Sequence, residues 1–166
     1  MPQESRSLPV LGWREWVAFP QFDVPQMECK VDTGAKTSAL HAFYVEEFEQ
    51  EGKKMVRFGL HPQRNHTEKE VHCVCEVVDE RIVSDSGGHR EKRYVIKTQV
   101  VLGNEIWPIE LTLTNRDTMR FRMLLGRTAM ADNFIVDPGA KNLMGKPSKH
   151  PFECPVISRR HDEEEE

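Results

Sequence analysis

Cys29-Lys30-Val31-Asp32-Thr33-Gly34-Ala35 is the stretch on which the fold turns. An apolar, strand-like run ends here in an aspartate. The glycine two residues on lets the backbone turn tightly and approach its neighbours closely. A threonine beside the aspartate can hydrogen-bond to a symmetric copy of the same loop and hold two carboxylates face to face. The tetrapeptide also fits an ordinary Asp-x-Gly turn at a strand end, so the residues around it must decide.

Working outward, helical periodicity is scarce and short β-like runs recur, broken by Gly, Pro, Asn and Asp as in an all-β barrel or sandwich. Residues 13–19 and 27–32 read as the first two strands, with Pro20 and Pro25 closing the first. Residues 38–48 and 54–60 read as a pair joined by Glu51-Gly52-Lys53, and residues 62–69 as a polar loop. Strands at 71–83 and 94–102 flank Ser84-Asp85-Ser86-Gly87-Gly88-His89, a glycine-rich hairpin tip. Strands at 106–114 and 121–125 follow, then one short helix after Gly126 and a last strand at 134–136. The expected domain runs over 11–138, the reach of the resemblance set out below, with a C-terminal extension over 139–166 that ends in an acidic tail.

The chain has 166 residues, 38% of them hydrophobic and 30% charged, enough for one domain with a modest core. Its net charge is −4, but residues 162–166 are all acidic. Without them 22 acids face 23 bases, so the body is nearly balanced, which argues against a general nucleic-acid binder. Four unevenly spaced cysteines, Cys29, Cys73, Cys75 and Cys154, do not form a disulfide framework. There is no leader-like apolar region at the start and no apolar run of the ~18 residues that a membrane helix needs. The expectation is a soluble cytoplasmic protein.

Asp-Thr-Gly-Ala, a glycine-rich hairpin, further strands and then Met123-Leu124-Leu125-Gly126-Arg127 ahead of a short helix resemble the element order of a retropepsin monomer. In that family the apolar-apolar-Gly segment packs behind the catalytic loop. The resemblance implies a single-lobe, retropepsin-like aspartic protease β-barrel in which Asp32 is catalytic and Thr33 and Gly34 shape its loop. Asp85-Ser86-Gly87 is a second Asp-Ser-Gly triplet, but it lies only 53 residues beyond Asp32 and has no apolar-apolar-Gly partner of its own. It reads as the tip of the flap over the substrate. Because this chemistry uses two carboxylates sharing a proton, one aspartate per chain implies a symmetric homodimer whose pair titrates as one coupled dyad.

Trp13-Arg14-Glu15-Trp16-Val17, Lys30 through Ala42, Arg93-Tyr94-Val95-Ile96, Leu111 through Arg116, Leu124-Leu125-Gly126-Arg127 and Val136-Asp137-Pro138 are similar to a bacterial family labelled ATP-dependent zinc proteases, with RimB-like members. Those members are retropepsin-like peptidases linked to removal of the oligoglutamate tails that the ligase RimK adds to a ribosomal small-subunit protein. The resemblance therefore implies an oligoglutamate-tailed protein as substrate, with no direct nucleic-acid or membrane partner. The family's label does not fit the residues. There is no His-Glu-x-x-His helix for zinc and no Gly-x-x-x-x-Gly-Lys loop for nucleotide. Strand alternation sends Cys73 and Cys75 to one face and His72 to the other, so neither a metal nor a cofactor is expected.

Charge placement points the same way. Arg81 and Arg93 flank the hairpin, Arg116 lies between two strands and Lys36 directly follows the aspartate loop. Arginine forks and lysine ammonium groups suit a run of glutamates. Lys36, Arg81, Arg93 and Arg116 are therefore expected to bind substrate, with Thr37, Ser38 and Ser86 completing the expected substrate-binding set. The competing reading is a non-catalytic module that holds acidic tails in a basic groove. Residues 163–166, four glutamates, read first as a solubilising acidic tail; the sharper alternative is that they imitate the substrate and act as a competitive brake or are trimmed.

Overall fold

The computed structural model describes residues 7–63, 69–84, 87–115 and 120–147. In chain order the strands are β1 (Val10–Leu11), β2 (Arg14–Phe19), β3 (Val24–Val31), β4 (Ser38–His41), β5 (Tyr44–Gln50), β6 (Lys53–Leu60), β7 (Val71–Glu76), β8 (Asp79–Ser84), β9 (Arg90–Leu102), β10 (Glu105–Thr114), β11 (Met123–Leu125) and β12 (Ile135–Val136). One α-helix, α1 (Arg127–Met130), is present among the described residues. Six strands run in the order β10-β4-β11-β3-β2-β9, and β9 returns to β10, which closes the barrel. The fold is all-β and retropepsin-like, with its short helix directly after β11.

Closure follows from the long β9. Its second half pairs with β10, while its first half carries β8 as an antiparallel partner, Ser84 facing Arg90. The β8–β9 hairpin is thus an extension of the barrel wall. A three-stranded meander, β5-β6-β7, lies outside the ring. Its β6 buries Val56, Phe58 and Leu60 in the same apolar cluster as Phe19, Met27, Leu40, Leu111 and Leu125. Phe22 meets Phe58 edge-on at 5.4 Å, joining meander to barrel.

Three strand assignments need correction. Pro25 lies inside β3 rather than ending a strand, at the irregularity between the pairs Val17–Met27 and Phe19–Val24, where a missing N–H is tolerated. Pro20 does end β2 and opens a 3-10 turn over Pro20–Phe22. Residues 38–48 are two strands, not one: β4 belongs to the barrel, and β5 pairs with β6 in the meander. Residues 71–83 likewise divide at Val77-Val78 into β7 and β8, which lie in different sheets. The β5–β6 turn is as expected, with Glu51 and Gly52 both at positive φ, the pairing a two-residue hairpin needs.

The described part of the C-terminal extension folds back onto β1 and β2. Glu15 is fully buried, and its carboxylate accepts backbone N–H groups from Gly12 (2.7 Å), Leu143 (2.9 Å) and Met144 (3.1 Å). Trp13 N–H donates to the Ala140 carbonyl at 2.7 Å. At Gly12 a Cβ would lie 2.3 Å from that same oxygen, so the close approach requires glycine. The acidic run at 162–166, Cys154, His66, Asp85, Ser86 and Arg116 lie outside the described residues.

Candidate active site

The loop carrying Asp32 joins β3 to β4, which are not neighbours. β11 lies between them, parallel to β3 and antiparallel to β4. The Leu-Leu-Gly segment is therefore the strand from which the aspartate loop hangs. Asp32 N–H donates to the Leu125 carbonyl at 2.9 Å, and Arg127 N–H donates to the Ala35 carbonyl at 2.7 Å. Arg127 Nη1 donates to the Thr33 carbonyl at 3.0 Å. Thr128 binds the Lys36 carbonyl twice, through its N–H at 3.1 Å and its hydroxyl at 2.9 Å. These contacts hold the loop from Asp32 to Lys36 by its backbone and leave the side chains available.

Gly34 N–H donates to Asp32 Oδ1 at 3.1 Å, the turn that the Asp-x-Gly spacing predicts. Ser38 is buried, and its hydroxyl accepts the Gly126 N–H at 2.9 Å. That places it behind the loop as a support. Gly126 was read only as part of a motif, yet it is where the two segments touch, since a Cβ there would meet Thr37 and Ser38 backbone atoms at 2.6–2.9 Å.

Asp32, Gly34, Lys36, Thr37, Arg81 and Arg93 line one groove of about 1030 Å³. Ala39 and Leu124, directly paired across β4 and β11, give it an apolar floor; Arg81 through Ser84 of β8 form a wall. The structure thus brings together Asp32 and residues 34–37 with β8 of the hairpin. Thr33 is exposed on the loop. Glu110, Thr112 and Thr128 also line the groove and were not singled out. Their signal is tertiary: β10 reaches the groove by pairing with β4, Thr112 opposite Ala39, and Thr128 by packing α1 against the Asp32 loop.

The groove's arginines are already engaged. Arg81 Nη2 donates to Glu110 at 2.8 Å and its Nε to Asp79 at 3.0 Å. Glu110 first and Asp79 second raise its pKa above the ordinary value for arginine. Arg93 is buried, with Nε on Glu91 at 3.0 Å and Nη1 on Thr112 at 3.4 Å. Lys36 is exposed, and its ammonium has no ion-pair partner among the described residues. Cys73 is buried and Cys75 half-buried on one face of β7, with His72 exposed on the other. Burial pushes the thiols of Cys29, Cys73 and Cys75 up.

An Asp-Thr-Gly-Ala loop hung on an apolar-apolar-Gly strand beneath a hairpin, in a closed single barrel, defines the retropepsin-like class of fold. The match to the family described as "RimB-like: Retropepsin-like aspartic endopeptidase RimB" spans residues 10–147, and the chain belongs to that family. A crystal structure of a Legionella pneumophila protein of unknown function (DUF785) superposes with a TM-score of 0.69 at 29% identity, covering 83% of this chain and 99% of that one. The chain is also 44% identical over 140 residues to a probable alpha-L-glutamate ligase of Desulfotalea psychrophila. A protein of the same description from Shewanella pealeana is 45% identical over 137 residues. These matches cover 84% and 82% of this chain, which spans about 30% of the length of those curated relatives. No helix among the described residues is long and apolar enough to cross a membrane.

Proposed function

We propose that the chain is an aspartic-type endopeptidase that hydrolyses oligoglutamate tails, acting as a homodimer in which each subunit supplies one Asp32. The observation that carries this reading is the placement of Asp32 in a groove walled by β8, with Lys36, which has no ion-pair partner among the described residues, lining the same groove. Two such carboxylates share one proton. One takes a proton from water as the oxygen attacks the peptide carbonyl, and the other protonates the carbonyl oxygen to give a gem-diol. The first then passes its proton to the leaving nitrogen while the second takes one back from a diol hydroxyl. The C–N bond thus breaks into an amine and a carboxylic acid, and the shared proton is restored. The relatives support the choice of tail, because a segment like this chain recurs within proteins about three times as long that are called glutamate ligases. A peptidase beside a ligase would reverse its product. The physiological target is then a glutamate-tailed protein, such as a ribosomal small-subunit protein in the cytoplasm, with no direct contact to nucleic acid or membrane.

The test is mass spectrometry of a glutamate-tailed peptide incubated with the protein. Wild type shortens the tail and still does so in the presence of a chelator, whereas Asp32→Asn releases nothing but keeps binding. Excess Asp32→Asn mixed with wild type poisons mixed dimers, so activity falls further than dilution alone would give. A chain whose effect on tailed peptides is unchanged by Asp32→Asn would be the non-catalytic binding module instead.

A further inference from the structure

Arg81 and Arg93 face each other directly across β8 and β9. Two like charges in that position repel, and each is met by carboxylates from its own side. Asp79 and Glu110 flank Arg81, and Glu91 meets Arg93 while also accepting from the Thr114 hydroxyl at 3.3 Å. Arg81 therefore spans from β8 over β9 to β10, and Arg93 ties β9 to β10 through Thr112. Their guanidinium groups clasp the root of the hairpin to the barrel wall. Three carboxylates around two arginines leave no net positive charge there for a ligand.

Lys36 is built the opposite way. Its backbone is pinned by the two bonds from Thr128 and the residue lines the groove, while its exposed side chain has no ion-pair partner among the described residues. It lies four residues from Asp32 on the same loop. A compact ammonium with three donors on a flexible stem can reach a carboxylate presented at varied angles. We infer that Lys36 is the residue that reads an acidic side chain of the peptide held in the groove, and that Arg81 and Arg93 position the hairpin without reading substrate charge. Specificity then rests on one carboxylate per subunit rather than on a basic trough.

This inference rests on the reading above, and the experiment separates the two. Affinities for matched peptides ending in four glutamates or four glutamines are measured by fluorescence anisotropy in the Asp32→Asn background, with Lys36→Met and Arg81→Met added singly. Cleavage of the same peptides is followed with Asp32 intact. Lys36→Met should lower the glutamate-over-glutamine preference by about tenfold, the loss of one charge-assisted contact, and Lys36→Arg should restore most of it. Arg81→Met should change affinity for both peptides alike. Preference that survives Lys36→Met, or that disappears with Arg81→Met, overturns the inference, as does a protein that shows no preference at all. Preference that depends on Lys36 without any cleavage upholds it and overturns only the peptidase reading.

Discussion

At Gly126 the backbone is extended, with φ −90 and ψ 174, a conformation open to any residue, yet no side chain fits. A Cβ would meet the carbonyl carbon and oxygen of Thr37 and the nitrogen of Ser38, all backbone atoms that cannot swing aside. Gly126→Ala should therefore push the Asp32 loop away from β11 and weaken the Gly126 N–H to Ser38 bond. A cost of about 1–3 kcal/mol in stability, typical of overpacking, is expected in urea melts, with turnover falling more than stability alone explains. Asp32 and its loop are legible in sequence because the tight turn demands those residue types locally. The fates of Ser38 and Arg81 are not, since both depend on partners, Gly126 and Glu110, far along the chain.

Among the elements, the C-terminal strap over 137–147 and the β8–β9 hairpin depend most on single side chains. Glu15 serves the strap, and its replacement by alanine leaves three inward-facing N–H groups without their acceptor. The expected loss is about 3 kcal/mol, seen as a drop of roughly 6–12 °C in Tm for a chain of this size. Limited proteolysis should cut that variant first between 137 and 147. The hairpin is tethered on its outer side as well. Lys54 of β6 contacts both Glu80 of β8 and Glu47 of β5, Lys92 lies 3.2 Å from Glu80, and the Tyr94 hydroxyl donates to Glu47 at 2.8 Å. The meander thus braces the hairpin, a role invisible while residues 38–48 and 71–83 read as unbroken strands. Strand propensity runs on through both segments, and only the sheet each half joins reveals the break.

For the whole molecule, the buried thiols set an alkaline limit. Burial raises Cys29 and Cys73 above the ordinary thiol range; at Cys29 the Glu15 charge adds to this while a backbone hydrogen bond with Glu15 opposes it, and at Cys73 the neighbouring Cys75 adds. The folded state resists ionising groups that the unfolded chain ionises near pH 8.5. Stability is fully present below that pH and is lost as pH rises through the interval up to the folded-state values. The slope reaches about 1.4 kcal/mol per pH unit for each thiol. Urea melts between pH 7.5 and 10.5 should show the fall, and a Cys29→Ala, Cys73→Ala variant should start lower but decline less steeply. An unchanged slope in that variant would remove the thiols as its cause.

What the sequence determined by itself was everything written in adjacent residues. That includes the Asp-Thr-Gly-Ala turn, the apolar run into it, the Leu-Leu-Gly segment with its short helix, the glycine-rich hairpin and the all-β barrel these spell out. Tertiary structure alone decided which strands share a sheet, that β11 inserts between β3 and β4, that Ser38 supports the loop from behind, and which groove cations are already neutralised. The reason is physical. A turn is set by steric preferences of consecutive residues, whereas the availability of a charge is set by its neighbours in space. Arg81 meets Glu110, 29 residues away, only because the barrel closes.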